Sequence, residues 1–450
     1  IYALNSSILS IDLINLESLN RDKFGPRSLA LPWMKRKTAA NGYFSGEEPN
    51  GEGPAVAINR AVMAVREAPR LRPLSVDKAA NFLKNDTNSG LPFFIRKGKV
   101  KDDVSANLQK YLDRNDPCIM FTRTQEQLKT RLVWGSPIAE TLQELRFYQP
   151  TLNHQKKMNW RSALGGPDHT DQKITSIIIA GMKRNQDLLS IDFSAYDQTI
   201  RNKLQEASFK YVENLFQSPY SDELRRIAHR FRTIGLVTPS GIWSGDHGVP
   251  SGSTFTNEID SIAQFLIAKS YGLDPVDFDI QGDDGVYAVD DAKELMEYFK
   301  TFGLKVNEEK SYIRSSSVVY LQMLYDIKYI KDGVIGGIYP IYRALNRIIY
   351  PERFVDLEDQ GIRGSDYFSI RTIAILENCK NHPLFEVFVK YIWNIDKYNL
   401  KFSDLGLKRY VQYISKSRGS RGIITNQYGE DISGIRNFKT VRLLEKLNSG

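Results

Sequence analysis

Residues 278–289 restrict the fold of this chain more than any other segment. Their sequence, FDIQGDDGVYAV, places two apolar, strand-like arms on either side of a Gly-Asp-Asp centre. This pattern predicts a β-hairpin with an acidic pair at its tip. Glycine tolerates the backbone angles of a tight turn, so Gly282 can release Asp283 and Asp284 from the strict alternation of a strand. The segment therefore predicts an antiparallel sheet with carboxylates at one end.

The flanking segments predict a mixed α+β chain. Residues 188–197 (LLSIDFSAYD) indicate a short buried strand that ends in a polar turn, and residues 201–217 have helical periodicity. The Gly- and Ser-rich residues 239–253 predict a loop without regular structure, which leads into a helix ending at Gly272. A second helix is predicted to stop at Gly303, before further strands and a mostly helical, basic C-terminal region.

The distribution of charge adds a further constraint. The chain has 61 basic and 53 acidic residues, for a formal net charge of +8. Residues 251–300 nevertheless hold 11 acidic and 3 basic side chains, whereas residues 401–450 hold 10 basic and 4 acidic ones. Carboxylates that bind Mg²⁺ beside a basic path for phosphates would explain an acidic patch in a basic protein. Charge alone favours the alternative, which is ordinary surface variation.

Length and cysteine content exclude several classes of protein. A chain of 450 residues predicts several domains, or one large core with insertions. Cys118 and Cys379 are too few for a disulfide framework or a Cys-rich zinc site, which predicts buried thiols in a reducing compartment. The sequence has no apolar run of transmembrane length and no signal peptide, so we expect a soluble, intracellular protein with no membrane partner.

Three aspartates are candidates for a two-metal site. Nucleotidyl transfer requires carboxylates from separate elements to converge on two ions. Asp192 at a strand end, with Asp283 and Asp284 at a hairpin tip, can meet that requirement. Gly-Asp-Asp alone is a common turn, but Asp192 lies in an apolar strand, where an unpaired buried charge is costly and a metal would offset the cost.

Four segments in order give these aspartates a context. DFSAYD, SGSTFTN, GDD and GLKVNEEKS, spread over residues 188–311, together resemble motifs A, B, C and D of the viral RNA-dependent RNA polymerases. The SGSTFTN form and the adjacent HGVP are most similar to polymerases of small double-stranded RNA viruses, the picobirnavirus and partitivirus group. The resemblance implies an α+β right-hand fold of fingers, palm and thumb, with an antiparallel palm sheet and closed fingertips.

The resemblance also implies roles for individual residues. Asp192 and Asp283 would bind two Mg²⁺ ions, with Mn²⁺ as a substitute, and Asp284 would support them. Gly252 would let its loop shift as the template advances. Asp197 and Ser251 would recognise the ribose of the incoming nucleotide together with a further polar side chain of motif B. Whether Thr256, Asn257 or Asp260 is the one that contacts the sugar stays open.

Basic residues complete the implied site. Residues 122–134 resemble motif F, which lines the nucleotide channel, and carry Arg123, Lys129 and Arg131. Lys129 and Arg131 lie two apart, so on a strand they would point to one side as a phosphate clamp; a solvated face with salt bridges to Glu126 is the alternative. In the fourth motif Lys310 would protonate pyrophosphate, with Lys305 as its rival. Residues 319–326 resemble motif E, a hairpin that supports the primer end.

By position, the resemblance divides the chain into subdomains. It implies an N-terminal segment (1–70) that bridges fingers and thumb, fingers (71–186 and 201–244), palm (187–200 and 245–335), and a thumb with a C-terminal extension (336–450). The implied partners are RNA template and product, ribonucleoside triphosphates and a viral capsid protein, for a monomer in the virion or the host cytoplasm.

Two other functions are open at this stage. A reverse transcriptase shares paired aspartates, but it usually carries an aromatic residue where this chain has Gly282, and it must exclude the 2′-hydroxyl that Asp197 and a polar motif B would favour. A non-catalytic RNA-binding or capsid-associated protein would account for the net charge and the basic tail. That class leaves the acidic residues 251–300 unexplained.

Overall fold

The structure is a computed structural model that describes residues 7–49, 51–65, 68–127, 129–351, 357–358, 361–418 and 432–449. The sequence KSRGSRG (416–422) predicts a solvated linker. Its last four residues lie outside the described part, so this prediction is untested.

Helices make up most of the regular structure. In chain order they are α1 (Ile11–Asp22), α2 (Trp33–Ser45), α3 (Gly53–Ala64), α4 (Val76–Ala80), α5 (Lys101–Ala106), α6 (Leu108–Leu112), α7 (Ile138–Gln155), α8 (Pro167–Lys183), α9 (Tyr196–Thr199), α10 (Asn202–Leu215), α11 (Ser221–Thr233), α12 (Thr256–Tyr271), α13 (Ala292–Thr301), α14 (Ile341–Ile349), α15 (Gly364–Glu377), α16 (Phe385–Ile395), α17 (Asp404–Arg418) and α18 (Lys439–Ser449).

The strands are short. In chain order they are β1 (Cys118–Thr124), β2 (Thr130–Gly135), β3 (Asp187–Ile191), β4 (Leu236–Thr238), β5 (Gly241–Trp243), β6 (Phe278–Gln281), β7 (Asp284–Val289), β8 (Tyr312–Arg314), β9 (Ser317–Tyr320), β10 (Met323–Asp326), β11 (Ile330–Lys331) and β12 (Val334–Ile335).

The central sheet has the strand order β6-β7-β3-β8, and all its pairings are antiparallel. Successive residues of β3 point to opposite faces, so Leu188 and Leu189 enter different cores. Leu189 packs with residues of α10, α12 and α13, whereas Leu188 packs with α8 and the C-terminal helices. Because both faces of the sheet are buried, apolar packing on each face fixes the register of its strands.

The sequence predictions for this region are largely confirmed. The hairpin forms from β6 and β7, α10 follows the motif A strand, and α12 ends at Gly272, whose φ of +106° suits a glycine helix cap. α13 ends just before Gly303, and motif E is the β9–β10 hairpin. The α+β class and the antiparallel sheet are therefore confirmed.

The structure differs from the sequence pattern in two places. Residues 239–253 were expected to lack regular structure, yet Gly241–Trp243 form β5 at the edge of a second sheet, ordered β2-β1-β4-β5. Residues 122–134 have a strand-like, alternating pattern, but they are divided between β1, which ends at Thr124, and β2, which begins at Thr130. An edge strand of three residues and a turn without glycine are difficult to predict, because neither has a distinctive residue pattern.

Other composition-based predictions concern burial and membranes. Both cysteines are fully buried, as predicted. Over the described ranges, no helix combines the length and the apolar character needed to cross a bilayer.

The N-terminal segment joins distant parts of the chain. Ser28 donates its backbone N–H to Gln125 in the β1–β2 turn, at 3.1 Å. At the other end, the fully buried Glu17 accepts hydrogen bonds from the first two N–H groups of α14, at 2.6 and 3.1 Å. Its Oε1 also lies 2.9 Å from Nε2 of the buried His382. The carboxylate thus satisfies helix N–H groups and compensates its own burial.

We predict that Glu17→Ala lowers stability substantially, because it leaves His382 and two helix N–H groups without their acceptor. Removing one partner of a buried pair costs on the order of 3 kcal/mol. Calorimetric melting would measure the effect, with Asp22→Ala as the control, since Asp22 is exposed on the same helix. Equal melting temperatures for the two variants would contradict this role of Glu17.

Candidate active site

The acidic turn is held by helix α12. Gln281 pairs with Asp284, so Gly282 and Asp283 form a two-residue turn, and Gly282 has a φ of +63°. Ser261 Oγ accepts the Gly282 N–H at 2.8 Å, and Gln264 Nε2 donates to the Gly282 carbonyl at 3.0 Å. Both backbone polar groups of the turn glycine are therefore bonded to side chains of one helix.

Asp192 lies at the same end of the sheet. Ile191 is paired with Gly285, so continuing the antiparallel register by one residue sets Asp192 opposite Asp284. Its backbone is bonded on both sides, because the Asp192 N–H donates to Ser311 Oγ at 3.0 Å and Asn307 donates its N–H to the Asp192 carbonyl at 2.8 Å. The two predicted motif positions are thus adjacent in the fold.

The three aspartates influence one another electrostatically. Burial, followed by repulsion from Asp283 and Asp192, raises the pKa of Asp284 well above its usual value. Burial also raises the pKa of Asp192, and Asp283 adds to the rise while Lys310 opposes it. In the described part of the chain, no three His, Cys, Asp or Glu side chains are gathered in a metal-binding arrangement. The three carboxylates are close to one another but do not form a complete coordination sphere by themselves.

Cations surround this acidic end. Burial lowers the pKa of Lys23, and Lys310 and Arg343 lower it further, while Asp192 acts in the opposite direction. Burial, Arg131, Lys310 and Lys23 likewise lower the pKa of Lys129. Lys23 and Arg343 were not predicted, since Lys23 follows the end of α1 and Arg343 lies in α14, both far from the recognised motifs. Only the fold brings them to this position.

The predicted motif F residues lie on the β1–β2 hairpin. Arg123 is directly opposite Arg131, and both are exposed. Lys129 precedes β2 and lies in the turn, where Gln125 donates its N–H to the Lys129 carbonyl at 2.8 Å. Lys129 lies one residue before β2 begins, and Arg131 is the largest of the charges that lower its pKa, so a shared face for the two side chains stays a prediction. Two like charges directly across a hairpin are unfavourable in isolation and suit a site for an anion.

Asp197 and Ser251 meet at the junction of motifs A and B. Ser251 Oγ donates a hydrogen bond to Asp197 Oδ2. Burial raises the pKa of Asp197, and burial with repulsion from Asp197 and Asp283 raises the pKa of Asp260 strongly. Asp260 is only 5% exposed, whereas Asp197 and Ser251 are half-buried. Asp260 thus lies behind the two residues that reach the surface of the site.

The loop before α12 is fixed by its own polar groups. The Thr256 hydroxyl donates to the Pro250 and Ser253 carbonyls, each at 2.9 Å. Gly252 has a φ of +147°, and a Cβ there would lie 2.1 Å from the Trp134 carbonyl oxygen. Thr256 therefore holds the loop, and Gly252 allows its close approach to β2.

Asn257 is exposed, but it contacts a largely buried polar network that the sequence did not reveal. Its Oδ1 accepts from Gln281 at 2.9 Å and from Arg161 at 3.3 Å. Arg161 and Glu258 are both fully buried and form a two-point ion pair at 2.9 and 3.0 Å. This network links α12 to the strand that enters the acidic turn. Arg161 stands outside every recognised motif, and its only sequence signal is a charge beside Trp160.

The motif B loop is also anchored by Glu144 of α7. Its carboxylate accepts from Ser253 Oγ and from the Thr254 N–H, both at 2.8 Å. Burial raises the pKa of Glu144 to about 7, from an ordinary value near 4.5. Between these two pH values the folded protein keeps a proton that the unfolded chain has released. Glu144 therefore lowers the free energy of unfolding as the pH rises through this window.

We predict that Glu144→Gln removes this dependence, because glutamine does not titrate. The stability of the variant relative to the unsubstituted protein should rise between pH 5 and 8, by at most about 3 kcal/mol. Melting temperatures measured across that range would show the gap changing with pH. Glu445→Gln, at an exposed position, should change nothing. Parallel curves for Glu144→Gln would contradict the prediction.

Comparisons with known proteins agree with this geometry. A family model described as viral RNA-dependent RNA polymerase matches residues 64–330. A potential RNA-dependent RNA polymerase of a human picobirnavirus is 27% identical over 441 residues, which is 91% of this chain and 81% of that protein. An RNA-directed RNA polymerase of Cryptosporidium parvum virus 1 is 24% identical over 314 residues, covering 60% of this chain and 58% of the relative.

Solved structures support the fold. The crystal structure of a human picobirnavirus RNA-dependent RNA polymerase matches with a TM-score of 0.80 and 24% identity, covering 99% of this chain and 89% of the other. An insertion-loop deletion mutant of a human picobirnavirus polymerase matches with a TM-score of 0.78 and 25% identity, covering 97% and 87%. These matches confirm the resemblance to the picobirnavirus group. The chain belongs to the viral RNA-dependent RNA polymerase family and is an RNA-directed RNA polymerase.

Proposed function

We propose that the chain copies an RNA template from ribonucleoside triphosphates at a site formed by Asp192, Asp283 and Asp284. The observation that carries this proposal is the register of β3 with β7, which sets Asp192 opposite Asp284 and beside the turn that holds Asp283. Three acidic side chains from two separate elements then lie at one open end of the sheet. Transfer of a nucleotidyl group requires such convergence.

The donor set fits Mg²⁺. Carboxylate oxygens are its preferred protein ligands. Burial, with repulsion between neighbouring carboxylates as a smaller contribution, raises the pKa values of Asp192 and Asp284, and a bound cation would offset both effects. When bound, two Mg²⁺ ions would lower the pKa of the RNA 3′-hydroxyl and stabilise the departing pyrophosphate. Mn²⁺ has similar ligand preferences and can substitute. We propose that Asp192 and Asp283 would hold the two ions, with Asp284 as the supporting carboxylate.

The cations around the acidic end are proposed to bind the triphosphate. Lys129, Lys23 and Lys310 act electrostatically on Asp192. Arg131 lies two residues beyond Lys129 on β2, and Arg123 is paired with Arg131 across the β1–β2 hairpin. Several positive charges on separate elements can hold and orient three phosphates before reaction. Binding of a triphosphate would explain why cationic side chains are concentrated beside the three aspartates.

Lys310 is the better candidate for the proton donor to pyrophosphate. It is the strongest charged partner of Asp192, whereas Lys305 contributes its backbone carbonyl to the Ser194 N–H at 2.8 Å. A lysine close to the reacting phosphates can supply a proton as the leaving group develops charge. The placement of the two lysines therefore favours Lys310.

Asp197, Ser251 and Asn257 are proposed to recognise the ribose. Asp197 and Ser251 are half-buried and hydrogen-bonded to each other, and Asn257 is exposed at the start of α12. Thr256 is engaged in holding the loop, and Asp260 is covered by its neighbours. Polar groups that bond a 2′-hydroxyl are what distinguishes ribonucleotides from deoxyribonucleotides.

The contacts of the N-terminal segment support the proposed subdomains. We assign residues 1–70 as a bridge between fingers and thumb, 71–186 and 201–244 as fingers, 187–200 and 245–335 as palm, and 336–450 as thumb with an extension. The bridge contacts the β1–β2 hairpin through Ser28 and α14 through Glu17, which is the connection that closed fingertips require.

We further propose that the enzyme acts as a monomer in the virion or the host cytoplasm. Its template and product would be RNA, and a viral capsid protein is a candidate partner. The net charge of +8 supports binding to a polyanion.

We predict that the double variant Asp283→Asn and Asp284→Asn loses RNA synthesis by at least a factor of about 100, since metal ligation is worth several kcal/mol of the barrier. The assay combines purified protein, an RNA template, Mg²⁺ and the four ribonucleotides. Asp290→Asn is the matched control, because Asp290 is an exposed aspartate beyond the far end of β7. Full incorporation by the double variant would refute the assignment.

A further inference from the structure

Tyr43 links the N-terminal segment to the proposed ribose contacts. It lies near the end of α2 and is 7% exposed. Its hydroxyl oxygen is 2.9 Å from Ser251 Oγ, and Ser251 donates in turn to Asp197. Because the serine proton is directed to Asp197, the Tyr43 hydroxyl is the donor to the serine oxygen. The three groups form a directed chain of hydrogen bonds that ends on a carboxylate.

The position of the Tyr43 hydroxyl is fixed by contacts from several elements. The Tyr43 carbonyl accepts from Arg201 Nη1 at 2.6 Å and from the Gly248 N–H at 2.8 Å. Its ring packs edge-on against Trp134 of β2, with centroids 5.5 Å apart. The backbone N–H of Trp134 donates to the Ser251 carbonyl at 3.0 Å. The Tyr43–Ser251 bond is thus anchored at one end by Trp134 of β2 and at the other by Arg201, after motif A, and Gly248, before motif B.

A serine hydroxyl rotates among staggered positions unless its partners select one. The donor from Tyr43 occupies the serine oxygen and leaves the proton directed at Asp197. Without that donor, Ser251 can turn its proton elsewhere, and Asp197 loses a hydrogen bond that orients its carboxylate. We infer that Tyr43 is a positioning residue for sugar selection, which holds Ser251 and Asp197 in the arrangement that recognises the 2′-hydroxyl of an incoming ribonucleoside triphosphate.

This inference rests on the proposed function and extends it to a segment outside every recognised motif. A purely structural role is the alternative, because a buried tyrosine hydroxyl needs some partner in any protein. The two roles differ in their consequences. Loss of a structural contact affects all substrates alike, whereas loss of a sugar-orienting contact affects only substrates with a 2′-hydroxyl.

The test compares Tyr43→Phe with the unsubstituted enzyme, using CTP and 2′-deoxy-CTP on the same RNA template and primer. Phenylalanine keeps the ring packing against Trp134 and removes only the hydroxyl. Loss of one such hydrogen bond should lower kcat/KM for CTP about fivefold and leave kcat/KM for 2′-deoxy-CTP unchanged. Tyr211→Phe is the matched control, since its buried hydroxyl accepts from Gln155 at 3.1 Å in the core. It should preserve the ratio between the two substrates.

A second variant isolates the route through the serine. Ser251→Ala should reproduce the selective loss for CTP, and adding Tyr43→Phe to it should cause no further change, because the tyrosine acts through Ser251. An equal decrease for both nucleotides in Tyr43→Phe, multiplied losses in the double variant, or full sugar selectivity in Ser251→Ala would each overturn the inference. If the unsubstituted protein makes no RNA, the proposed function itself has failed.

Discussion

The antiparallel pairing of β3 with β7 is the constraint on which the acidic centre depends. Side chains alternate along both strands, and each face of the sheet is buried in a different core. A shift of the register by one residue would exchange Leu188 with Leu189 and disrupt both cores. The same shift would move Asp192 away from its position opposite Asp284. Apolar packing on both faces therefore fixes the relative positions of the carboxylates.

Helix α12 acts on the other side of the acidic turn. Ser261 and Gln264 bond both backbone groups of Gly282, and the buried pair of Arg161 and Glu258 connects the start of the helix to Gln281. A buried ion pair contributes little net stability, since desolvation offsets much of its attraction. The pair instead orients the groups around it, because a buried polar network in which every member is hydrogen-bonded favours a single arrangement of its side chains. The proposed ribose and metal sites are thus coupled through one helix.

Local patterns in the sequence predicted the parts of the site that depend on neighbouring residues. The β6–β7 hairpin, α12 and the position of Asp192 at a strand end follow from periodicity, glycine placement and short motifs. Lys23, Tyr43 and Glu144 could not be predicted in the same way, because each is brought to the site by long-range packing. Their local sequences show ordinary helix or loop residues, and nothing in them specifies a partner more than 100 positions away.

The arrangement of the β1–β2 hairpin was not predicted, for a related reason. Alternating polar and apolar residues are compatible with one strand or with a hairpin when no glycine or proline marks the turn. The hairpin changes the geometry of the basic residues, since Arg123 and Arg131 face each other across two strands and Lys129 lies in the turn. The sequence pattern thus identifies the three cations as candidates, whereas their arrangement relative to one another follows only from the fold.

The most direct test of the metal centre is a crystal structure of the enzyme with RNA template, primer, a non-hydrolysable ribonucleoside triphosphate and Mn²⁺. Its anomalous scattering distinguishes Mn²⁺ from water and from lighter ions. The account predicts two anomalous peaks, each within ligand distance of Asp192 or Asp283 and near the primer 3′-hydroxyl and the triphosphate. Ions or triphosphate bound away from these aspartates, with an ordered primer end elsewhere, would contradict it.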